Sequence, residues 1–344
     1  SLTGDLPGAR DDLRTALRLR TPGPDRARLM ARLAMSYSGA DDPERAHELS
    51  ELALVEAGDD PAARAVALEV ASILDVNRGD DDRARSRSEE ARSLYAELGD
   101  AVGTARILDA RAMATFLSGD IRTAERLFDH VAGVFEDCGD LFRELTPRST
   151  QGHALVFLGR PADGLAAATS SLELARELSH PEGETYALWH RSEALAALGD
   201  PTRARADAEE ALAIAEQIGH RGWTATSFRA LGIAHLAADD VARAHEAFER
   251  SLAHADGLDL FRSWAAAHLA ICEVRRGELD AARGHVAAAR SCGPGLARYE
   301  ARWAEAELAA ASGRDPAPLV ARAVVDAERG GHLASAACLR AVLA

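Results

Sequence analysis

Pro181–Gly219 reads PEGETYALWHRSEALAALGDPTRARADAEEALAIAEQIG. It divides into two helical stretches of similar length, broken at Gly199-Asp200-Pro201 and closed at Gly219, because Gly and Pro punctuate helices. The unit recurs. Gly79, Gly119, Gly159 and Gly199 lie 40 residues apart, and Gly99, Gly139 and Gly219 fall on the same period about twenty residues later. Self-similarity at such a period marks stacked helical repeats. In the stretch 201–218, Ala204, Ala208, Ala211, Leu212 and Ala215 form the stripe of a helix buried on one face. Arg203, Arg205, Asp207, Glu209 and Glu210 are assigned to the opposite, solvated face.

Outward from this unit the period predicts helices at about 61–77, 81–98, 101–118, 121–138, 141–158 and 161–178. Before them stand Ala9–Leu19, Asp25–Tyr37 and Glu44–Glu56, with breakers at Thr21-Pro22-Gly23-Pro24 and Gly39-Ala40-Asp41-Asp42-Pro43. Asp42 suits a helix N-cap and Pro43 a first helical position. After Gly219 the unit shortens, with turns at Ala238-Asp239-Asp240, Gly257, Gly277, Gly293-Pro294-Gly295, Gly313 and Gly330-Gly331. Links this short make neighbouring helices antiparallel. No stretch alternates as a strand does, and no low-complexity linker interrupts residues 1–344, which read as a single solenoid domain.

A solenoid escapes the size limit of one core because each repeat contacts only its neighbours. Hydrophobic residues make up 47% of the 344, much of it alanine, and aromatics only 5%, which suits close helix contacts. Acidic residues number 55 against 40 basic ones, a formal charge of −15, which argues against direct nucleic-acid binding. Every basic residue is arginine, so lysine Schiff-base chemistry and a Walker A loop are excluded. Cys138, Cys272, Cys292 and Cys338 form no CxxC pair and read as reduced, buried thiols. The sequence shows neither a signal-peptide pattern nor an apolar run long enough to span a membrane. A cytoplasmic protein without membrane association is expected.

Aligned on the mid-repeat turn, the units share three small positions. Seven residues before it stand Ser72, Ala112, Gly152, Ser192 and Gly232, with Ala270 and Ala306 in the shorter units. Five after it stand Ala84, Ala124, Gly164, Ala204, Ala244 and Ala282. Twelve after it stand Ala91, Val131, Ser171, Ala211 and Ser251. This pattern resembles the tetratricopeptide repeat over residues of about 42–330, although the unit is nearer 40 residues than the usual 34 and most large aromatics of the motif are replaced by alanine or leucine. The resemblance implies an all-α, right-handed superhelical solenoid of about eight helical hairpins. Unit-ending strings such as ALAALGD (194–200) are similar to those of large bacterial regulators: ATP-binding LuxR-type activators, their maltose-responsive relative, and actinobacterial signal-transduction ATPases. That likeness implies an array that senses an inducer or partner and controls an attached ATPase and DNA-binding domain. Neither a P-loop nor a helix-turn-helix pattern occurs here. The chain opens on what reads as the second helix of a unit and ends on an unpartnered first-type helix, His332–Ala344, so a fragment of a larger multidomain protein is expected.

In the repeat family the first helix of each unit lines the concave surface. Ten residues before each turn this places Glu69, Asp109, Ser149, Trp189, Arg229, Ala267 and Trp303 on one inner track. Thirteen before it come Val66, Arg106, Thr146, Tyr186, Thr226, Trp264 and Glu300. Aromatics with polar tips beside charges are what ligand sites use, so Tyr186, Trp189, Glu193, Arg229, Trp264 and Trp303 are candidate groove residues. Arg106 and Asp109 extend the track towards a charged, protein-facing end. Two readings stand for the tryptophans: contacts to a ligand, or fillers of space between alanine-rich repeats. His153 and His235 read as structural. No HExxH, zinc-ligand spacing, GxSxG or phosphate loop occurs, and Glu209-Glu210 and Asp81-Asp82 suit surface and cap positions. The sequence therefore points to a non-catalytic module of a transcriptional regulator, without cofactor or metal, that binds an inducer or peptide in its groove. A general protein-interaction scaffold is the alternative.

Overall fold

The computed structural model describes residues 6–37, 42–78, 80–291 and 295–344. The turn residues Gly39, Ala40 and Asp41, the periodic Gly79, and Cys292, Gly293 and Pro294 lie outside them. Among the described residues there are eighteen α-helices, one 3-10 turn at Gly295–Ala297, and no strand. The helices run α1 Leu6–Leu19, α2 Pro24–Ser36, α3 Pro43–Ala57, α4 Pro61–Asn77, α5 Asp81–Glu97 and α6 Ala101–Ser118. They continue with α7 Ile121–Asp137, α8 Leu141–Phe157, α9 Pro161–Glu177, α10 Pro181–Ala197, α11 Pro201–Gln217 and α12 Arg221–Ala237. The last six are α13 Val241–His254, α14 Asp259–Arg276, α15 Leu279–Ser291, α16 Arg298–Ala311, α17 Ala317–Gly330 and α18 Leu333–Ala341. With α1 and α18 standing singly, the others form eight hairpins, as the period implies.

Local chemistry explains many of the boundaries. Asp120, Asp140, Asp200 and Asp240 each accept a hydrogen bond from the N–H three residues on, at 3.2, 3.4, 3.1 and 3.1 Å. This satisfies one of the donors orphaned at a helix start. Pro161, Pro181 and Pro201 occupy first helical positions, where no N–H is needed. At the other end the described glycines of the period are left-handed, Gly119 at φ +93° and Gly199 at φ +79°. The position missing from the glycine series is filled by Ser179, held at φ +51°, a conformation costly for a residue with a Cβ.

The small positions are where backbones meet. A Cβ on Gly152 would lie 2.9 Å from the Gly164 carbonyl oxygen, and one on Gly164 would lie 2.6 Å from that of Gly152. Ser192 donates to the Ala204 carbonyl at 2.7 Å and Ser251 to that of Ala225 at 2.8 Å, joining helix to helix where alanine would only touch. Asp207 departs from the expectation of a solvated face. It lies three residues after Ala204, on the packed side, and is 6% exposed. It accepts two charge-assisted hydrogen bonds there from Arg191 of α10, at 2.6 and 2.7 Å.

Contacts divide the chain into two units, Ser1–Ala110 and Arg111–Ala344, with the boundary inside α6. The first is cored by Met30, Leu33, Leu49 and Leu74, then by Leu68, Tyr95 and Ile107. In the second, successive helices pack on one another, and each first helix also touches the first helix of the next hairpin: α8 on α10, α10 on α12. Its central core gathers Phe116, Phe128, Phe157, Trp189, Trp264 and Leu296. No helix among the described residues is long and apolar enough to cross a membrane.

Candidate functional site

The inner-track residues of the second unit converge. Trp189, Glu193, Arg229 and Trp264 are 4%, 7%, 3% and 1% exposed. Glu193 is the centre. It accepts from the Trp189 indole and from Arg229 on one oxygen, and from His153 Nε2 at 3.1 Å on the other. Burial would raise the Glu193 carboxyl, but the Arg229 charge and then His153 overcome it and hold it well below the usual range. Three consecutive first helices, α8, α10 and α12, thus share one carboxylate. The Arg229 guanidinium also lies 4.1 Å from the Trp264 ring centroid, an arrangement that favours the cation.

Two histidines around this pair, His190 and His268, are pushed towards the neutral form. His190 hydrogen-bonds Ser149 at 2.9 Å and stacks on His153 at 4.3 Å; burial and then the neighbouring His153 push it well below the ordinary value. His268 falls to about 4 through burial and then the Arg229 charge. Glu300 moves the other way. Burial raises it to about 7, with Arg229 opposing only in part, and its Oε2 makes no hydrogen bond. The Cys272 and Cys338 thiols are driven up by burial, to about 12 and about 11, and are held as unreactive thiols.

Tyr186 links this interior to an open cavity. Its hydroxyl bonds Thr150 Oγ1 at 2.9 Å, and its ring meets Trp189 at 5.5 Å and Trp223 at 5.0 Å. The cavity, of about 350 Å³, is lined by Met113, Phe142, Leu145, Tyr186 and Trp223, with Thr146, His180, Glu182 and Gly183 supplying its polar edge. That lies at the small end of the range for ligand pockets. Apart from Met113 of α6, its walls come from the N-terminal halves of α8, α10 and α12, and two of those starts carry an unusual cap. His180 and His220 accept the Gly183 and Trp223 N–H groups on Nδ1, at 2.8 and 3.1 Å, which requires that nitrogen unprotonated. The same rings brace the aromatic walls: His220 stacks on Trp223 at 4.7 Å and His180 meets Phe142 at 5.5 Å. Gly183 leaves no room for a side chain, since a Cβ there would lie 2.9 Å from the capping nitrogen and 3.2 Å from Leu145.

The remaining candidates lie elsewhere. Trp303 is half-buried between two other clusters and donates to Glu307 at 3.1 Å. Arg106 and Asp109 belong to the first unit. Arg106 pairs with Glu69 at 2.9 and 3.1 Å and with the Tyr95 hydroxyl at 3.0 Å. Asp109 has an unpartnered Oδ1, and burial raises it to about 6. Trp223, the tryptophan outside both inner tracks, is the one that lines the cavity. It stands sixteen residues before the turn, one helical turn ahead of Thr226, and Gly183 holds the same place in the preceding unit. A third track at that spacing is the signal that identifies both.

In the first unit His47, Glu51 and Asp75 bring ligand atoms within 4.8 Å of one another. Arg87 already joins the two carboxylates at 2.7 and 2.9 Å, so their charge is met by a guanidinium.

Residues 184–257 match the family model for the tetratricopeptide repeat. No curated protein matches the chain. Among solved structures it is similar to a Rap protein complexed with competence and sporulation factor, at 12% identity over 93% of this chain and 96% of that one, with a TM-score of 0.67. It is similar to the signal-transduction ATPase with a tetratricopeptide repeat sensor from Pyrococcus horikoshii, at 18% identity and a TM-score of 0.52. There it covers 92% of this chain and 51% of the other. The apo form of RapI aligns at 11% identity over 86% and 84% of the two chains, with a TM-score of 0.53. At these identities the likeness shows the fold.

Proposed function

We propose that this chain is a non-catalytic docking module that binds an extended peptide segment, free or part of a partner protein, with an apolar or aromatic side chain seated in the Tyr186–Trp223 cavity. The observation that carries this reading is the cavity itself: aromatic walls with a few polar groups at the edge, on rigid helices. Apolar area there supplies affinity, and Thr146 and Glu182 at the edge supply orientation. The Trp189, Glu193, Arg229 and Trp264 cluster then serves as the wall behind the cavity, holding Tyr186 in place. A Rap protein crystallised with competence and sporulation factor supports a bound factor on this fold, and the repeat sensor of the Pyrococcus ATPase supports a sensing role. Control of an attached ATPase and DNA-binding domain belongs to the same proposal.

The test is an array of unstructured decapeptides probed with the labelled protein. A discrete retained set is expected, whose members share one apolar or aromatic position. Retention of nothing, or of a set without such a position, overturns the proposal.

A further inference from the structure

The second unit is closed by its own end. His332, fully buried, donates from Nε2 to the Gly119 carbonyl at 3.0 Å, across 213 residues of sequence. Its ring sits between Tyr299, at 4.4 Å, and Phe157 of α8, at 5.4 Å. Arg122 at the start of α7 reaches the Glu328 carbonyl at 3.3 Å. The fit is close: a Cβ on Gly330 would lie 2.9 Å from the Gly119 carbonyl oxygen, and one on Gly331 would lie 2.9 Å from the Arg122 side chain and 3.3 Å from its backbone nitrogen. Ahead of this clasp, the 3-10 turn presses Gly295 against the Ser118 carbonyl so closely that a Cβ would overlap it at 1.8 Å. The turn places Leu296, 0% exposed, into the cluster with Phe116, Phe128, Phe157, Trp189 and Trp264. The inner surface that repeat arrays leave open is here occupied by the chain itself.

We propose that Gly295–Ala297 is a built-in occupant of the interior, held by the His332–Gly119 and Arg122–Glu328 clasp, and that release of α16–α18 as one piece uncovers the Trp189–Trp264 floor beside the docking cavity. The inference goes beyond the docking reading and does not depend on it. Two features make this end the part that opens. The last three helices share thinner interfaces with their neighbours than the hairpins of α8 to α13 do, and segments with few packed contacts open first. Closure also leaves His332 Nδ1 and Glu300 Oε2 buried without hydrogen-bond partners, and an unmet buried polar atom weakens the state that buries it.

The test is acrylamide quenching of a background carrying Trp223→Phe and Trp303→Phe, so that Trp189 and Trp264 alone report. Replacing His332→Leu keeps bulk and removes the donor, whereas His332→Gln restores one. Quenching is expected to rise severalfold in the leucine variant and less in the glutamine variant. Amide exchange is expected to quicken over residues 298–341 while α8–α13 stay protected. Unchanged quenching, or exchange that quickens equally through α8–α13, overturns the proposal. Should His332→Leu fail to fold, native-state exchange of the unaltered chain in low urea decides the same point. Residues 298–341 must open together below the global transition, and a single shared transition refutes the latch.

Discussion

Glu300 offers a test in which sign and size both follow from position. It stands in the first turn of α16, 6% exposed, and burial lifts its carboxyl from 4.5 to about 7. A folded-state value above the unfolded one means that the folded chain holds the proton more tightly. The stability this group confers is full below about pH 4.5 and is lost as pH rises through 7. The change corresponds to about 3 kcal/mol. Glu300→Gln keeps the shape and is neutral at every pH. Urea denaturation of the parent and the variant in parallel, from pH 4.5 to 8.5, isolates the effect. His268 and His332, each depressed to about 4 by burial, lose stability as pH falls from 6.5. Their contribution is common to both proteins and cancels in the difference. The variant should match the parent at pH 4.5 and exceed it by about 3 kcal/mol at pH 8.5. A difference that is flat with pH, or a variant weaker at pH 8.5, would mean that burial does not hold the proton on Glu300.

Two further outcomes follow from packing and charge. Arg229→Met leaves Glu193 buried without its main partner and should cost about 3–5 kcal/mol, whereas the double change with Glu193→Gln should recover much of that in a double-mutant cycle read by urea denaturation. Gly152→Ala forces a Cβ to 2.9 Å from the Gly164 carbonyl; overpacking of about 1–3 kcal/mol should outweigh the helix-propensity gain of up to about 1 kcal/mol, lowering the urea midpoint.

The repeat was legible because its signals are local. Asp200 caps, Pro201 starts and Gly199 stops a helix through chemistry within a few residues of each, so boundaries inside the periodic stretch could be read to within about a residue, whereas α1 starts three residues ahead of the expected Ala9. The small positions were legible as well, since the Gly152–Gly164 approach recurs in register down the array. Where Ser179 replaces a glycine at φ +51°, the neighbouring periodicity still marks the turn. The site was only partly legible. Tyr186 was found by counting back from the turn, but Trp223 faces the same cavity from one helical turn earlier, and helical spacing alone does not say where a cavity stops. Asp207 read as a surface charge because its partner, Arg191, lies on another helix. The closure by His332 and Leu296 was invisible, because it joins residues about 200 apart through a backbone carbonyl, which carries no sequence signature.

Docking in the Tyr186–Trp223 cavity is best checked by calorimetry of the strongest array peptide against three forms of the protein. Trp223→Ala removes one wall of the cavity, and truncating an aromatic anchor of this kind costs about 2 kcal/mol or more, roughly thirtyfold in affinity. Val55→Ala, at a residue 80% exposed in the first unit, serves as the control. If the cavity seats the peptide, the tryptophan variant binds at least tenfold more weakly while the control matches the parent. Equal affinity for all three would remove the cavity as the docking site.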